Sequence, residues 1–388
     1  MFKIQTLNTI SATGLDQFPQ DRYEVSSDIK DPDAILVRSQ NMHDMPMSDA
    51  IKIIGRAGAG VNNIPVMHFT TLGIPVLNTP GANANAVREI VIAGMLIASR
   101  NLFDAVSFVN QLNPMNEDIE AEVEKIKKRF VGQELLGKTL GIVGLGSVGV
   151  KVANAAVHLG MQVIGYDPTI SVHRAWELSS NVQQAHFIDE VLIKSDFVSF
   201  HIPLTKDTEN LIDASKIKVM KKGVILLNFA RDGIIQHDAL LEALNNEHVR
   251  AYVCDFPHKK LLQHPRIIAL PHLGASTFEA EENCAVMIVN QVKDFLENGS
   301  INNSVNFPAI EMPKNNDAIR LAISNKNIPN MVAQISSVLA SQKLNILSLL
   351  NKSRDDIAYT LIDVSGEVNS GILQNISKID GVLQVRKL

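Results

Sequence analysis

Residues 139–167, TLGIVGLGSVGVKVANAAVHLGMQVIGYD, restrict what this chain can fold into more than any other stretch. Leu140, Ile142 and Val143 read as a short buried strand, and Gly144-Leu145-Gly146-Ser147-Val148-Gly149 follows without a gap. Val148, Val152, Ala156 and Leu159 then recur at helical spacing. Strand, glycine turn and helix in that order are what a dinucleotide site requires. Gly144 permits the tight turn, Gly146 lets the backbone approach a pyrophosphate, and Gly149 lets the helix pack closely on the strand. The free N–H groups of the first helical turn, where Ser147 and Val148 lie, would meet the phosphates. A second strand, Met161 to Tyr166, ends at Asp167, 18 residues beyond Gly149. A carboxylate there accepts ribose hydroxyls and repels a 2′-phosphate, so the expected cofactor is NAD rather than NADP. Alone, the glycine pattern also fits an ordinary α/β turn. The flanking strand, helix and Asp167 carry the reading.

A chain of 388 residues has room for two or three domains. Net charge of −5 and pI near 6.1 leave no electrostatic footprint for nucleic acid or an anionic membrane, so neither partner is expected. The longest apolar run, Ile90 to Ala98, is too short to span a bilayer, and no charged-then-apolar leader opens the sequence. Cys254 and Cys284 each adjoin an apolar run and have no ligand spacing. They read as core thiols of a cytoplasmic protein, with no metal site expected.

Along the first hundred residues, Phe2 to Leu7, Ala34 to Val37, Ile51 to Ile54 and Ile74 to Leu77 read as strands of a small parallel α/β unit. Arg38-Ser39 and Arg56-Ala57-Gly58 follow two of them, at the carboxyl ends where ligands sit in open parallel sheets. Arg38 and Arg56 are candidates for binding an anion, with simple solvation as the alternative. Ala86 to Val109 reads as one long helix without a polar face, which a subunit interface would bury. Glu117 to Arg129 reads as a solvated helix face.

Beyond Asp167, four strands in succession end in polar or ionisable residues. Phe197 to Phe200 leads to His201, Val224 to Leu227 to Asn228-Phe229-Ala230-Arg231, Ala251 to Cys254 to Asp255, and Ile267 to Leu270 to Pro271-His272-Leu273-Gly274. Such convergence on the side where the glycine turn opens makes a site. His201 reads as lining the cofactor cleft and His173 as surface. Glu279 to Asn298 reads as a helix closed by Gly299, and the Asn- and Pro-rich residues 302–317 as a linker. Residues 318–388 alternate as β-α-β-β-α-β, a ferredoxin-like module without a catalytic-looking cluster.

With these residues in view, the chain resembles the D-isomer-specific 2-hydroxyacid dehydrogenases, through GRAGAGVNNI, LGIPVLNTPGANANAV, GLGSVG with Asp167, SFHIPLT, NFARDGII and PHLGAST. The C-terminal module is similar to an ACT domain. The resemblance implies two Rossmann-like parallel-sheet domains and a ferredoxin-like ACT domain. A flavodoxin-like substrate domain would comprise 1–86 and 281–305, an NAD-binding domain 87–280, a linker 306–317 and the ACT-like domain 318–388. The apolar helix after residue 86 would then help form a homodimer or homotetramer. Arg231 would bind the substrate carboxylate and 2-oxygen, His272 would be the acid/base, and Asp255 would hold the nicotinamide amide. The cofactor site would comprise Gly144, Gly146, Ser147, Val148, Gly149, Asp167, His201, Phe229, Ala230, Arg231, Asp255, His272 and Gly274. Arg38, Ser39, Arg56 and Gly58 would face the substrate. With the ACT-like tail, the implied reaction is NAD-dependent oxidation of 3-phosphoglycerate toward serine. Asn327 and Asn345 match asparagines that bind serine as an effector between paired subunits.

Independently of any resemblance, oxidising a 2-hydroxy acid needs a base for the hydroxyl proton, and a histidine suits that near neutral pH. A guanidinium grips the planar carboxylate with two parallel hydrogen bonds. Two positions depart from the family pattern. Lysine stands at 260, where the family carries the glutamate that pairs with its histidine, and Asn325 stands where serine-inhibited members have a histidine. Either another carboxylate reaches His272 or the histidine works without one. Two other functions remain open at this point: oxidation of a different D-2-hydroxy acid, or NAD sensing without turnover.

Overall fold

The computed structural model describes residues 1–115, 118–315 and 317–388, and divides into two units. The first unit joins Met1–Asn83 to Phe278–Leu388, and the second is Ala84–Thr277.

In the first unit, β1 (Phe2–Leu7), β2 (Tyr23–Ser26), β3 (Ala34–Val37), β4 (Ile53–Arg56) and β5 (Val76–Leu77) form a parallel sheet in the order β2-β1-β3-β4-β5. All four residues of β3 are buried, as expected of a strand covered on both faces. The helix Phe278–Asn298 packs Ala285, Ile288, Val292 and Phe295 into one core with Ile4, Leu36 and Ile53. Strand β4 starts two residues later than the apolar run suggests, so Arg56 closes the strand instead of following it. Strand β2 has no apolar run of its own, and only its pairing with β1 defines it. The Asn- and Pro-rich segment is no bare tether. Leu77 bridges to Ser304 and Ile301 to Ile310, while Phe307 and Ile310 are buried in the core; Asn316 lies outside the described residues.

This unit also carries an antiparallel sheet of β13 (Ile319–Lys326), β14 (Asn345–Arg354), β15 (Ile357–Ser365) and β16 (Val382–Lys387), in the order β14-β15-β13-β16. The two helices Met331–Ser341 and Ser370–Ser377 complete the β-α-β-β-α-β alternation read from the sequence. Strand alternation sends Leu321, Ile323, Ile362 and Val364 toward these helices. Ala322, Tyr359 and Leu361 instead join the core around the helix Phe278–Asn298.

The second unit contains β6 (Thr139–Val143), β7 (Gln162–Tyr166), β8 (Val182–Gln184), β9 (Phe197–Phe200), β10 (Val224–Asn228), β11 (Val249–Cys254) and β12 (Ile267–Ala269). They lie parallel in the order β12-β11-β10-β9-β6-β7-β8, so the strand order reverses between β6 and β9. The expected single helix Ala86–Val109 is corrected to two, Ala84–Arg100 and Leu102–Asn110, meeting at 68°. Asn101, between them, takes a left-handed conformation at φ +50°, which asparagine tolerates better than most residues. Nor is this segment buried all round: Leu96 is 41% exposed and the second helix buries no residue. Within Glu117–Arg129, a helix covers Ile119–Ile126 and a tight turn Lys127–Phe130, while Glu117 lies outside the described residues. Among the described residues, no single helix is long and apolar enough to cross a membrane, and no group of three or more histidine, cysteine or acidic side chains is placed to hold a metal ion.

Buried Arg320, ion-paired within the antiparallel sheet, ties that sheet to the rest of its unit through backbone carbonyls. Arg320 Nε and Nη2 donate to the two carboxylate oxygens of Asp363 at 2.7 and 2.8 Å. Its remaining donors reach the carbonyls of Met312, Pro313 and Asn298 at 2.8, 2.6 and 3.2 Å. Both side chains are at most 2% exposed. Arg320→Ala would strand the Asp363 charge in the core and is expected to cost about 3–5 kcal/mol, read by chemical denaturation. The paired replacement Arg320→Met with Asp363→Leu is expected to recover most of that loss.

Candidate functional site

The glycine turn lies where the strand order reverses, beside the carboxyl end of β9. The Gly144 N–H donates to the Tyr166 carbonyl at 2.8 Å and the His201 N–H to that of Val143 at 2.8 Å. Gly144 has φ +95°, and a methyl group on Gly149 would sit 1.9 Å from the Gly144 oxygen. Helix Ser147–His158 can therefore approach the strand only with glycine at 149. Gly146 precedes that helix as its cap, and no side chain caps the free N–H groups. A methyl on Gly146 would meet nothing within 4 Å. The turn thus presents uncapped backbone donors to open space, as a diphosphate needs.

Asp167 stands one residue past β7, and its Oδ2 accepts the Leu145 N–H at 2.8 Å, which ties it to the turn. Its Oδ1 accepts the N–H and hydroxyl of Thr169 at 2.8 and 3.2 Å. One acceptor position on Oδ2 remains; a grip on both ribose hydroxyls requires the Thr169 hydroxyl to turn away. His201 is part-buried, with Nε2 2.9 Å from the Ser199 hydroxyl, and burial pushes its pKa down to about 4. His173 is 75% exposed and pairs with Glu177.

Two buried side chains shape the loops that carry Arg231 and His272. Asn228 Nδ2 donates to the Arg231 carbonyl at 2.9 Å and to the Tyr252 hydroxyl at 3.1 Å, while its Oδ1 accepts the Ala230 N–H at 3.2 Å. The loop Asn228-Phe229-Ala230-Arg231 is thereby closed on itself. Arg231 Nη1 donates to the Ala230 carbonyl at 2.6 Å, and burial lowers the pKa of the guanidinium. Asp255 is 1% exposed and accepts the N–H groups of Leu273 and Gly274 at 2.6 and 2.7 Å, one on each carboxylate oxygen. Its own carbonyl accepts the His272 N–H at 3.1 Å. The side chain implied to hold an amide group is engaged first in holding the His272 loop. His272 has φ +57°, and its ring centroid lies 5.1 Å from that of Phe256. Among the described residues of the second unit, no carboxylate hydrogen-bonds its imidazole. Lys260, at the family's glutamate position, binds both oxygens of Asp238 at 2.8 and 3.0 Å.

The substrate candidates of the first unit cluster at adjacent strand ends. Val37 is opposite Arg56 in the β3/β4 ladder, and Arg56 Nε donates to the Arg38 carbonyl at 3.1 Å. Gly58 has φ +150°, and a methyl there would strike the Arg56 guanidinium at 2.0 Å. The Ser39 N–H donates to Asn8 Oδ1 at 3.2 Å. Arg38 Nη1 lies 2.7 Å from Glu281, an ion pair that the sequence did not announce.

Asn327 and Asn345 do not meet within one chain. Asn325 is opposite Ala358 and Asn345 opposite Ser365, so the two ends are separated by seven ladder positions, roughly 24 Å at 3.4 Å per residue. Asn327 instead lines a cavity of about 160 Å3 with Asn325, Asn330 and Asn351, in which Asn325 Oδ1 is buried without a hydrogen-bond partner among the described residues.

The strand order and glycine turn define a nucleotide-binding protein of the doubly wound α/β class. Residues 102–274 match the family model for the NAD binding domain of D-isomer specific 2-hydroxyacid dehydrogenases, and the whole chain belongs to that family, with NAD as cofactor. It is 38% identical over 312 residues to the D-3-phosphoglycerate dehydrogenase of Methanocaldococcus jannaschii, covering 78% of this chain and 56% of that one. With the enzyme of that name from Haemophilus influenzae it shares 29% identity over 401 residues, covering 99% and 94%. A crystal structure of NAD-bound 3-phosphoglycerate dehydrogenase from Entamoeba histolytica superposes with a TM-score of 0.62 at 28% identity, covering 79% of this chain and 98% of that one. The chain spans about half the length of the first curated relatives that it matches.

Gly146→Ala, which fills the open space without straining the fold, is expected to raise the Kd for NAD at least about tenfold while leaving the melting temperature within about 2 °C. Gly149→Ala is expected to lower both affinity and melting temperature. For His201 the folded-state pKa lies below the unfolded value of 6.5, so its contribution to stability is complete above pH 6.5 and is lost as pH falls toward 4. The loss is about 1.4 kcal/mol per pH unit in that window. In thermal melts, His201→Asn should flatten the decline in stability between pH 6.5 and 4.

Proposed function

We propose that this chain oxidises D-3-phosphoglycerate to 3-phosphooxypyruvate with NAD, the first step toward L-serine. The observation that carries the choice of substrate is the placing of Arg38 and Arg56 at neighbouring strand ends, where the Arg56 guanidinium donates to the Arg38 backbone carbonyl. A small 2-hydroxy acid needs one cation for its carboxylate, which Arg231 supplies. Two further arginines suit a second, doubly charged group such as a phosphate ester. The relatives' names support the same substrate.

In this reading Arg231 holds the carboxylate and 2-oxygen, and His272 takes the hydroxyl proton while hydride leaves C2. Bound NAD supplies the acceptor for that hydride. The C2–H and O–H bonds break, the C=O bond forms, and a proton is left on the imidazole to be passed to water. His272 performs this without a glutamate at position 260. Serine, as effector, would require Asn327 of one chain and Asn345 of another, hence at least a homodimer.

Purified protein is assayed with NAD and a panel of 2-hydroxy acids, with and without serine, by absorbance of the reduced nicotinamide. Turnover of 3-phosphoglycerate is expected, at a kcat/KM at least about a hundredfold above that of lactate, from two charge-assisted contacts. Arg38→Ala is expected to erase most of that preference through KM. Equal rates on unphosphorylated acids would assign another substrate, and NAD binding without turnover on any acid would favour a sensor. Lys260→Glu should shift the acid limb of the rate profile, because it places a carboxylate where the resemblance implies the partner of His272. An active variant with an unmoved limb would count against that account.

A further inference from the structure

The amino-end edge of the first sheet, opposite to the edge carrying Arg38 and Arg56, borders a cavity of about 570 Å3, well within the range of small-molecule sites. It lies inside the first unit, between the residues that lead into β1, β2 and β4, the end of the helix Phe278–Asn298, and the outer strand β16. Five cations line it, Arg22, Lys52, Lys314, Arg386 and Lys387, against one acidic side chain, that of Glu297.

The carboxylates do not balance these cations one for one. Glu297 is taken by Arg22 at 3.0 Å and by the Tyr23 hydroxyl, and Lys52 is answered by Asp33. Among the described residues, Lys314 Nζ donates to the Glu297 carbonyl at 3.3 Å and Lys387 Nζ to that of Val368 at 3.0 Å. Arg386 lies with its guanidinium carbon 3.9 Å from the centroid of the Phe295 ring. Its Nη2 donates to the Phe295 carbonyl and the Tyr359 hydroxyl at 3.2 and 3.4 Å. These contacts orient the three cations without neutralising them, and none has a carboxylate partner within 4.0 Å among the described residues. A concave wall of one charge concentrates the opposite charge from solution. The remaining wall, from Phe2, Leu296, Leu373 and Val385, is apolar.

We propose that this cavity binds a phosphate ester with an apolar or flat body, of nucleotide size, separately from the dinucleotide turn and from the substrate arginines. Lys314, Arg386 and Lys387 take the phosphates, and the apolar wall takes the body. The ligand would bridge the parallel sheet and the antiparallel sheet, because its cations come from the segment before β13 and from β16 while the wall includes the start of β1.

The test is calorimetric titration of the full chain, saturated with NAD, with ADP and with inorganic pyrophosphate as probes. One saturable ADP site is expected, tighter than pyrophosphate, and weakened by added salt. Lys314→Ala with Lys387→Ala, both exposed positions, should weaken ADP about tenfold for each lost charge while the thermal melt stays unchanged. No ADP binding, or equal binding to the double variant, would overturn the proposal, as would pyrophosphate binding as tightly as ADP.

Discussion

The closest approach between the helix Ser147–His158 and the turn before it is the constraint from which the second unit takes its shape. With a Cβ on Gly149 the Gly144 carbonyl would have to move, and with it the turn that joins β6 to its helix. That turn also supports neighbours on both sides: it receives Asp167 from β7 through the Leu145 N–H, and it touches the chain at His201 beyond β9. One absent methyl group therefore brings together the ends of three adjacent strands. The dinucleotide donors stay free for a separate reason: the cap residue of that helix is Gly146, which has no side chain to satisfy them.

Strands β10 and β11 of this sheet solve a different problem. Loops leaving buried strands expose backbone groups that need partners, and here the partners are side chains at the strand ends. Asn228 satisfies the loop that bears Arg231, and Asp255 the loop that bears His272. Both are almost wholly buried, so their hydrogen bonds act in a medium where leaving them unmade is costly. The loops that bear Arg231 and His272 are thus held by side chains at the ends of β10 and β11.

Much of this was legible in the sequence, for identifiable reasons. The glycine turn, Asp167 and the β-α-β-β-α-β rhythm are local patterns, and the structure has them where local periodicity puts them. Strands β2 and β8 were not legible because few of their residues are buried, so hydrogen bonding to a neighbour and not burial defines them. The break at Asn101 was hidden because the residues on both sides are apolar and the bend depends on a single left-handed residue. Glu281 was invisible as the partner of Arg38, since nothing in spacing says that a glutamate on one helix meets an arginine more than two hundred positions earlier. A buried asparagine at the end of an apolar strand was the one available signal for Asn228: it can stay there only by bonding its own loop.

Lysine at position 260 becomes intelligible in the same terms. Its pair with Asp238 is between side chains 48% and 72% exposed, too wet to matter much to folding, so the fold places little demand on what stands there. What a glutamate partner would do for a histidine is hold the ring and favour its charged form. The first task is met here by the backbone. A left-handed His272 donates its N–H to the carbonyls of both Leu270 and Asp255, its two successors are fastened to the Asp255 carboxylate, and Phe256 stands beside the ring. Histidine is among the residues that adopt this conformation more readily, so the arrangement carries little strain. Orientation and charge stabilisation are separable tasks, and the backbone around His272 supplies the first.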